Sequence, residues 1–194
     1  MIKPFEFYFD FVSPYSFLAH KEIKKIEKKE GIKIKYIPIL LGGLHNLHGI
    51  KAPAFIPAKA KHMIKDCKLI AEKNNVRFKF NSYFPIRSLN LMRGVLVAEE
   101  DNIKNYYIDS IFNTIWQDGL NMNDEVIIEK VLKNLSVNPK TFLLRSTSSL
   151  IKESLRKKTS EAYQKGIFGA PTFVVNNKIF WGQDRIEFAL KEAN

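Results

Sequence analysis

The sequence has almost no cysteine: Cys67 is the single one in 194 residues. One thiol cannot close an intramolecular disulfide or supply a cysteine-rich zinc site, so the disulfide-stapled secreted class and the structural zinc class are both excluded. Long apolar runs are missing too. No stretch approaches the roughly 18 apolar residues that span a bilayer, and Glu6 and Asp10 interrupt any apolar core of a leader between Met1 and Asp10, so the expectation is a cytoplasmic protein without membrane association. Arginine is scarce. The formal net charge of +11 rests on 31 Lys+Arg, of which 6 are Arg. The lysines alternate with glutamates, as from Lys21 to Glu30, in the manner of a solvated helix face. Nucleic-acid binding is not expected, because no reader motif or arginine cluster accompanies the charge. What is present, 45% hydrophobic and 12% aromatic residues, is enough for one compact fold with a buried core. Cys67 is read as a small buried hydrophobe.

Phe5, Phe7, Phe9 and Phe11 recur at period two and predict a first strand. Ser13-Pro14 follows, and Phe17, Leu18, Ile23 and Ile26 form the apolar stripe of a helix that stops at Gly31. Ile32, Ile34 and Tyr36 alternate again before Pro38 and predict a second strand, parallel and adjacent to the first across so short a crossover. Leu40 to Pro57, rich in Gly, Pro and His, reads as a loop. Helical spacing then continues through Lys59–Asn74, Leu89–Asn102, Ile103–Trp116, Asp124–Asn134, Pro139–Ser146 and Ser148–Gly166. Thr172 to Val175 and Lys178 to Trp181 predict a hairpin turning on Asn176-Asn177, and Asp184 to Glu192 a last helix.

The order β-α-β, helical block, β-β-α is the thioredoxin arrangement interrupted by helices. The expected fold is therefore α/β, thioredoxin-like, with an all-helical insertion domain. Residues 1–50 and 167–194 make the thioredoxin-like part and 51–166 the insertion. Chemistry is expected after the first strand, at the positive end of the first helix, facing the Ala170-Pro171 loop.

Three segments there carry candidate residues. Ser13 before Pro14 is a good N-cap in any helix. Ser13 and Ser16 also hold the two places where a dithiol enzyme of this fold carries its Cys-x-x-Cys pair, so dithiol redox chemistry lacks its nucleophile. A hydroxyl at that helix start can instead donate a hydrogen bond to another molecule's thiolate. Gly169-Ala170-Pro171-Thr172 is either a plain turn or, with a cis Ala170-Pro171 bond, an exposed backbone edge for a peptide-like ligand. Asp184 with Glu187 is a capping box or, alternatively, a partner for an ammonium group beside Gln183. His45-x-x-His48 lacks partners at metal spacing, and no metal is expected.

Taken together, Phe9 to Ala19, Pro53 to Lys68, Arg93, Phe168 to Phe173 and Trp181-Gly182-Gln183-Asp184-Arg185 resemble the 2-hydroxychromene-2-carboxylate isomerase family. That family is related to kappa-class glutathione transferases within the DsbA-like thioredoxin superfamily. The resemblance runs nearly end to end. It implies a glutathione-dependent isomerase in which Ser13 polarises the tripeptide's thiol and Pro14 and Tyr15 line the same loop. Ala170 would pair with the cysteinyl backbone, and Gln183 and Asp184 would hold the γ-glutamyl end. It further implies a small anionic electrophile such as an aromatic keto acid as substrate, and a possible homodimer. A carboxylate substrate calls for nearby cations, for which Lys59 and Arg93 are the candidates. Gly49-Ile50-Lys51-Ala52-Pro53 departs from the family's Gly-Asn-Lys-Pro-Pro stretch, with Asn46 or His48 as candidates to compensate. A kappa-class-like transferase and a non-catalytic binding module on the same scaffold are the alternative readings.

Overall fold

The computed structural model describes residues 5–31 and 33–193. Ile32, expected to open the second strand, and residues 1–4 lie outside the described residues. Strand β1 (Phe5–Phe9), helix α1 (Pro14–Glu30) and strand β2 (Ile34–Pro38) form the expected β-α-β unit, with β1 and β2 parallel and Phe7 opposite Tyr36. Strands β3 (Thr172–Val175) and β4 (Lys178–Trp181) complete a sheet in the order β2-β1-β3-β4. Here β3 runs antiparallel to both neighbours, with Phe7 opposite Phe173.

Local chemistry explains these boundaries. Gly31 ends α1 in the left-handed region at φ 67°, its N–H donating to the Glu27 carbonyl, a conformation that costs glycine nothing. Asn176 and Asn177 turn the hairpin with φ 50° and 63°, the pair of positive angles that a two-residue hairpin requires and Asn tolerates.

Between β2 and β3 stand α2 (Leu41–His48), α3 (Pro57–Lys73), α4 (Leu89–Glu100), α5 (Lys104–Trp116), α6 (Glu125–Asn134), α7 (Pro139–Ser146) and α8 (Ser149–Gln164). A 3-10 turn at Gln183–Arg185 precedes α9 (Ile186–Ala193). Among the described residues, no helix is long and apolar enough to cross a membrane.

The central strands β1 and β3 are covered on both faces. Phe5, Phe7 and Phe9 point into the main core with Phe112 and Phe173, each fully buried ring contributing about 2–3 kcal/mol. Tyr8, between them, packs on the other side with Ile37, Leu44, Ala162 and Val174. The β1 alternation therefore separates two cores rather than a core from solvent.

Two expectations are corrected. Leu40 to Pro57 is not a loop, since it contains α2 and a 3-10 turn at Pro53–Phe55. Gly42 and Gly43 are poor helix formers, but distant groups hold the start of α2. The Asp10 carboxylate accepts the Leu41 N–H at 2.8 Å and the Thr159 hydroxyl accepts the Leu40 N–H at 3.0 Å. A carboxylate at a helix N-terminus satisfies an orphan donor and the helix dipole together. Asp184 likewise does not begin the last helix: it lies inside the 3-10 turn, and its carboxylate accepts from Arg185 Nη1 at 2.6 Å.

Candidate active site

The loop from Asp10 to Ser13 is fixed from three directions. Asp10 is fully enclosed, and its carboxylate accepts from Val12 N–H at 3.0 Å as well as from Leu41. Burial raises the Asp10 carboxyl above its ordinary range, opposed by these hydrogen bonds. Trp116 of α5 donates its indole N–H to the Phe11 carbonyl at 2.8 Å, and the Phe11 N–H reaches Met92 Sδ at 3.4 Å. The helical block thus sets the place where α1 begins.

Ser13 caps α1 with Pro14 in the first turn, its Oγ accepting the Ser16 N–H at 3.1 Å. The same hydroxyl donates to the Ala170 carbonyl at 3.0 Å. The capping reading of Ser13 is therefore real, and it leaves the hydroxyl hydrogen free to point across to the other half of the fold. The Ala170-Pro171 bond is cis. Thr172 holds this loop through its hydroxyl, which donates to the Gly169 carbonyl at 2.7 Å. Gly169 has no room for a side chain, since a Cβ there would stand 2.6 Å from the Trp181 indole nitrogen.

Ser13, Pro14, Tyr15 and Ala170 line one cavity of about 1070 Å³, together with Lys59 from α3 and the rings of Phe55, Phe84 and Trp181. Tyr15 contributes its ring rather than its proton. The hydroxyl donates to Asp66 at 2.7 Å, and burial, reinforced by Asp66, pushes the phenol well above its ordinary range. Cys67 is fully buried beside this pair and outside the cavity wall; burial, then Asp66, pushes its thiol up to about 12. It is no nucleophile at neutral pH.

The charge of the cavity has one sign. Lys51, Lys59 and Arg87 line it with His45 and His62, and no Asp or Glu is among its described lining residues. None of those three cations has an ion-pair partner among the described residues. Burial, and then His48 nearby, lowers the pKa of His45. No group of three or more His, Cys, Asp or Glu suited to a metal ion occurs among the described residues.

The other expected site residues stand elsewhere. Gln183 and Asp184 follow Trp181 but do not line the cavity, and Asp184 is engaged by Arg185. Arg93 opens into a second cavity. Of the two candidates to compensate for Ile50, Asn46 lines the main cavity beside it, whereas the His48 ring hydrogen-bonds the Ile167 carbonyl at 2.9 Å. Sequence reasoning missed Arg87 and His62. The scarcity of arginine was the available signal: in a lysine-rich chain, an Arg in the turn after Pro85 merits attention as a planar anion clamp.

Comparison with known proteins is consistent across the chain's length. The model of the DSBA-like thioredoxin domain matches residues 5–193. A 2-hydroxychromene-2-carboxylate isomerase of Sphingobium xenophagum is 28% identical over 190 residues, covering 97% of this chain and 96% of the relative. Glutathione S-transferase kappa 1 of Caenorhabditis elegans is 27% identical, covering 93% of this chain and 86% of the relative. Among solved structures, a 2-hydroxychromene-2-carboxylate isomerase superposes with a TM-score of 0.89 at 24% identity, over 98% of this chain and 93% of that one. These similarities agree with the motif-based resemblance and with the thioredoxin-like fold carrying inserted helices.

Proposed function

The chain belongs to the DSBA-like thioredoxin family, and we propose that within it this protein is a glutathione-dependent isomerase, or transferase, acting on a small apolar anion. The observation that carries this reading is the hydroxyl of Ser13, set at the N-terminus of α1 and 3.0 Å from the Ala170 carbonyl, at the wall of a cavity whose free charges are all cationic. The Ser13 hydroxyl is a hydrogen-bond donor for a thiolate there, and no cysteine is among the described residues lining the cavity.

The residues fit the tripeptide. Ser13 keeps its oxygen on the Ser16 N–H and turns its hydrogen from Ala170 to the incoming sulfur, a charge-assisted bond reinforced by the dipole of α1. The carbonyl of Ala170, released by that turn, is then free to accept a backbone N–H in β-fashion. Lys51, Lys59 and Arg87 offer charge to carboxylates of the tripeptide or of the substrate, and the rings of Phe55, Phe84 and Trp181 accept a flat apolar body. Bound at Ser13, glutathione would supply a sulfur nucleophile that adds to a conjugated keto acid and leaves again, making a double bond briefly rotatable with no net redox change.

Similarity to isomerases over nearly the whole chain supports reading isomerisation ahead of transfer. A cytoplasmic setting accords with it, because glutathione keeps that compartment reducing. The test is turnover of a chromene carboxylate with and without glutathione. Turnover that needs the tripeptide supports the proposal, and an equal rate in its absence overturns it.

A further inference from the structure

A second cavity of about 850 Å³ lies across α2 from the first, bounded on its far side by α8. Leu40 at the N-cap of α2, Gly43 and Asn46 within it, and Leu89 of α4 border both cavities, whereas Leu47 faces only the second. Nothing in the proposed reaction uses this second space. Its walls nevertheless combine exposed apolar groups with unneutralised charge, as a site for an amphiphilic anion does.

Leu47 is 51% exposed and Leu89 38% exposed. Both line the cavity, and Leu40 and Leu155 extend the apolar wall. The charged residues are Arg93, Lys152, Glu153 and Arg156. Glu153 is already committed, because both its oxygens accept from Arg156, at 2.8 and 2.6 Å. Lys152 has no ion-pair partner among the described residues.

Arg93 gives only Nη1 to a protein acceptor, Asn90 at 3.1 Å, and its Nε is enclosed without any hydrogen-bond partner. An enclosed donor of a charged group left unpaired is costly, and a carboxylate beside the guanidinium removes that cost in a planar, two-bond geometry. Burial also lowers the pKa of Arg93, a further sign that the group lacks its counter-charge.

We propose that this cavity is a second binding site, distinct from the Ser13 site, for a small amphiphilic carboxylate. Arg93 and Lys152 take its carboxylate and the leucines of α2, α4 and α8 take its apolar body. The inference does not rest on glutathione binding, so its test leaves glutathione out.

The probe is 2-naphthoate, followed by backbone amide shifts of the full chain in solution. The expected result is a saturable set of shifts in α8 around Lys152 and in α4 around Arg93, with an affinity of its own beside any response at Tyr15 and Ala170. The double variant R93Q/K152Q should weaken the α8 response about tenfold or more and leave the response at Tyr15 and Ala170 unchanged. K152Q alone alters an exposed side chain, does not threaten the fold, and should weaken it several-fold. Absence of shifts in α8 with the wild-type chain, or an α8 response indifferent to K152Q, overturns the proposal.

Discussion

The Ser13 hydroxyl donates to the carbonyl of Ala170 across 3.0 Å, linking residues 157 positions apart. The bond joins the start of α1 to the loop before β3. One hydroxyl therefore caps a helix with its oxygen and ties two halves of the fold with its hydrogen. In the proposed function, only the second of these bonds is exchanged when a ligand binds.

Ser13→Ala removes both bonds. Loss of an N-cap costs about 0.5–2 kcal/mol of stability, so the variant should stay folded. The lost hydrogen bond to a thiolate should lower turnover by roughly 10- to 100-fold. Parallel measurement of kcat and of melting separates the effects: a turnover loss no larger than the stability change accounts for would reduce Ser13 to a capping residue.

Lys59→Gln and Arg87→Gln each remove a cation from the cavity wall without touching the Ser13 loop. Each should raise KM for an anionic substrate several-fold, up to about tenfold, with kcat nearly unchanged, because the charge binds ground and transition states alike. A neutral substrate analogue should lose the effect. Unchanged KM in both variants would remove the anion preference from the account.

A buried histidine outside the cavity lining gives a prediction about pH. His20 Nε2 lies 2.6 Å from Asp109 and Nδ1 lies 3.0 Å from the Tyr36 hydroxyl. A carboxylate only accepts, so Nε2 carries the hydrogen and Nδ1 accepts from Tyr36. Burial lowers the pKa of His20 below its ordinary 6.5, against the opposing pull of Asp109. The unfolded chain then binds more protons than the native one below 6.5, so His20 contributes fully above that pH and progressively less as pH falls toward the depressed native value. Urea unfolding between pH 5 and 7.5 should show wild-type stability falling toward the acid end, more steeply than in His20→Gln. Equal slopes in the two proteins would contradict the assignment.

Legibility in the sequence followed the range of the forces involved. The β1-α1 unit, the Gly31 stop and the Asn176-Asn177 turn are local, and each was readable from its own few residues. Helix α2 was not, because its N-terminus is held by Asp10 and Thr159, far away in the chain. The same division runs through the candidate site. Ser13, Pro14, Tyr15 and Ala170 sit at element ends that the fold brings face to face, and the structure gathers them with Lys59 around one cavity. Arg87 and His62 join them only through tertiary packing, and no spacing announced them. Arg93, a lone arginine in a helical pattern, gave no sign of which side of α2 it would serve.

The central claim, that glutathione seats its sulfur on Ser13, is tested most directly by melting the protein in increasing glutathione. At 100-fold excess over the dissociation constant the native state should gain about 2.7 kcal/mol, a rise in Tm of roughly 5–10 °C for a chain of this size, with a smaller rise in Ser13→Ala. A melting temperature that does not move at millimolar glutathione would contradict it.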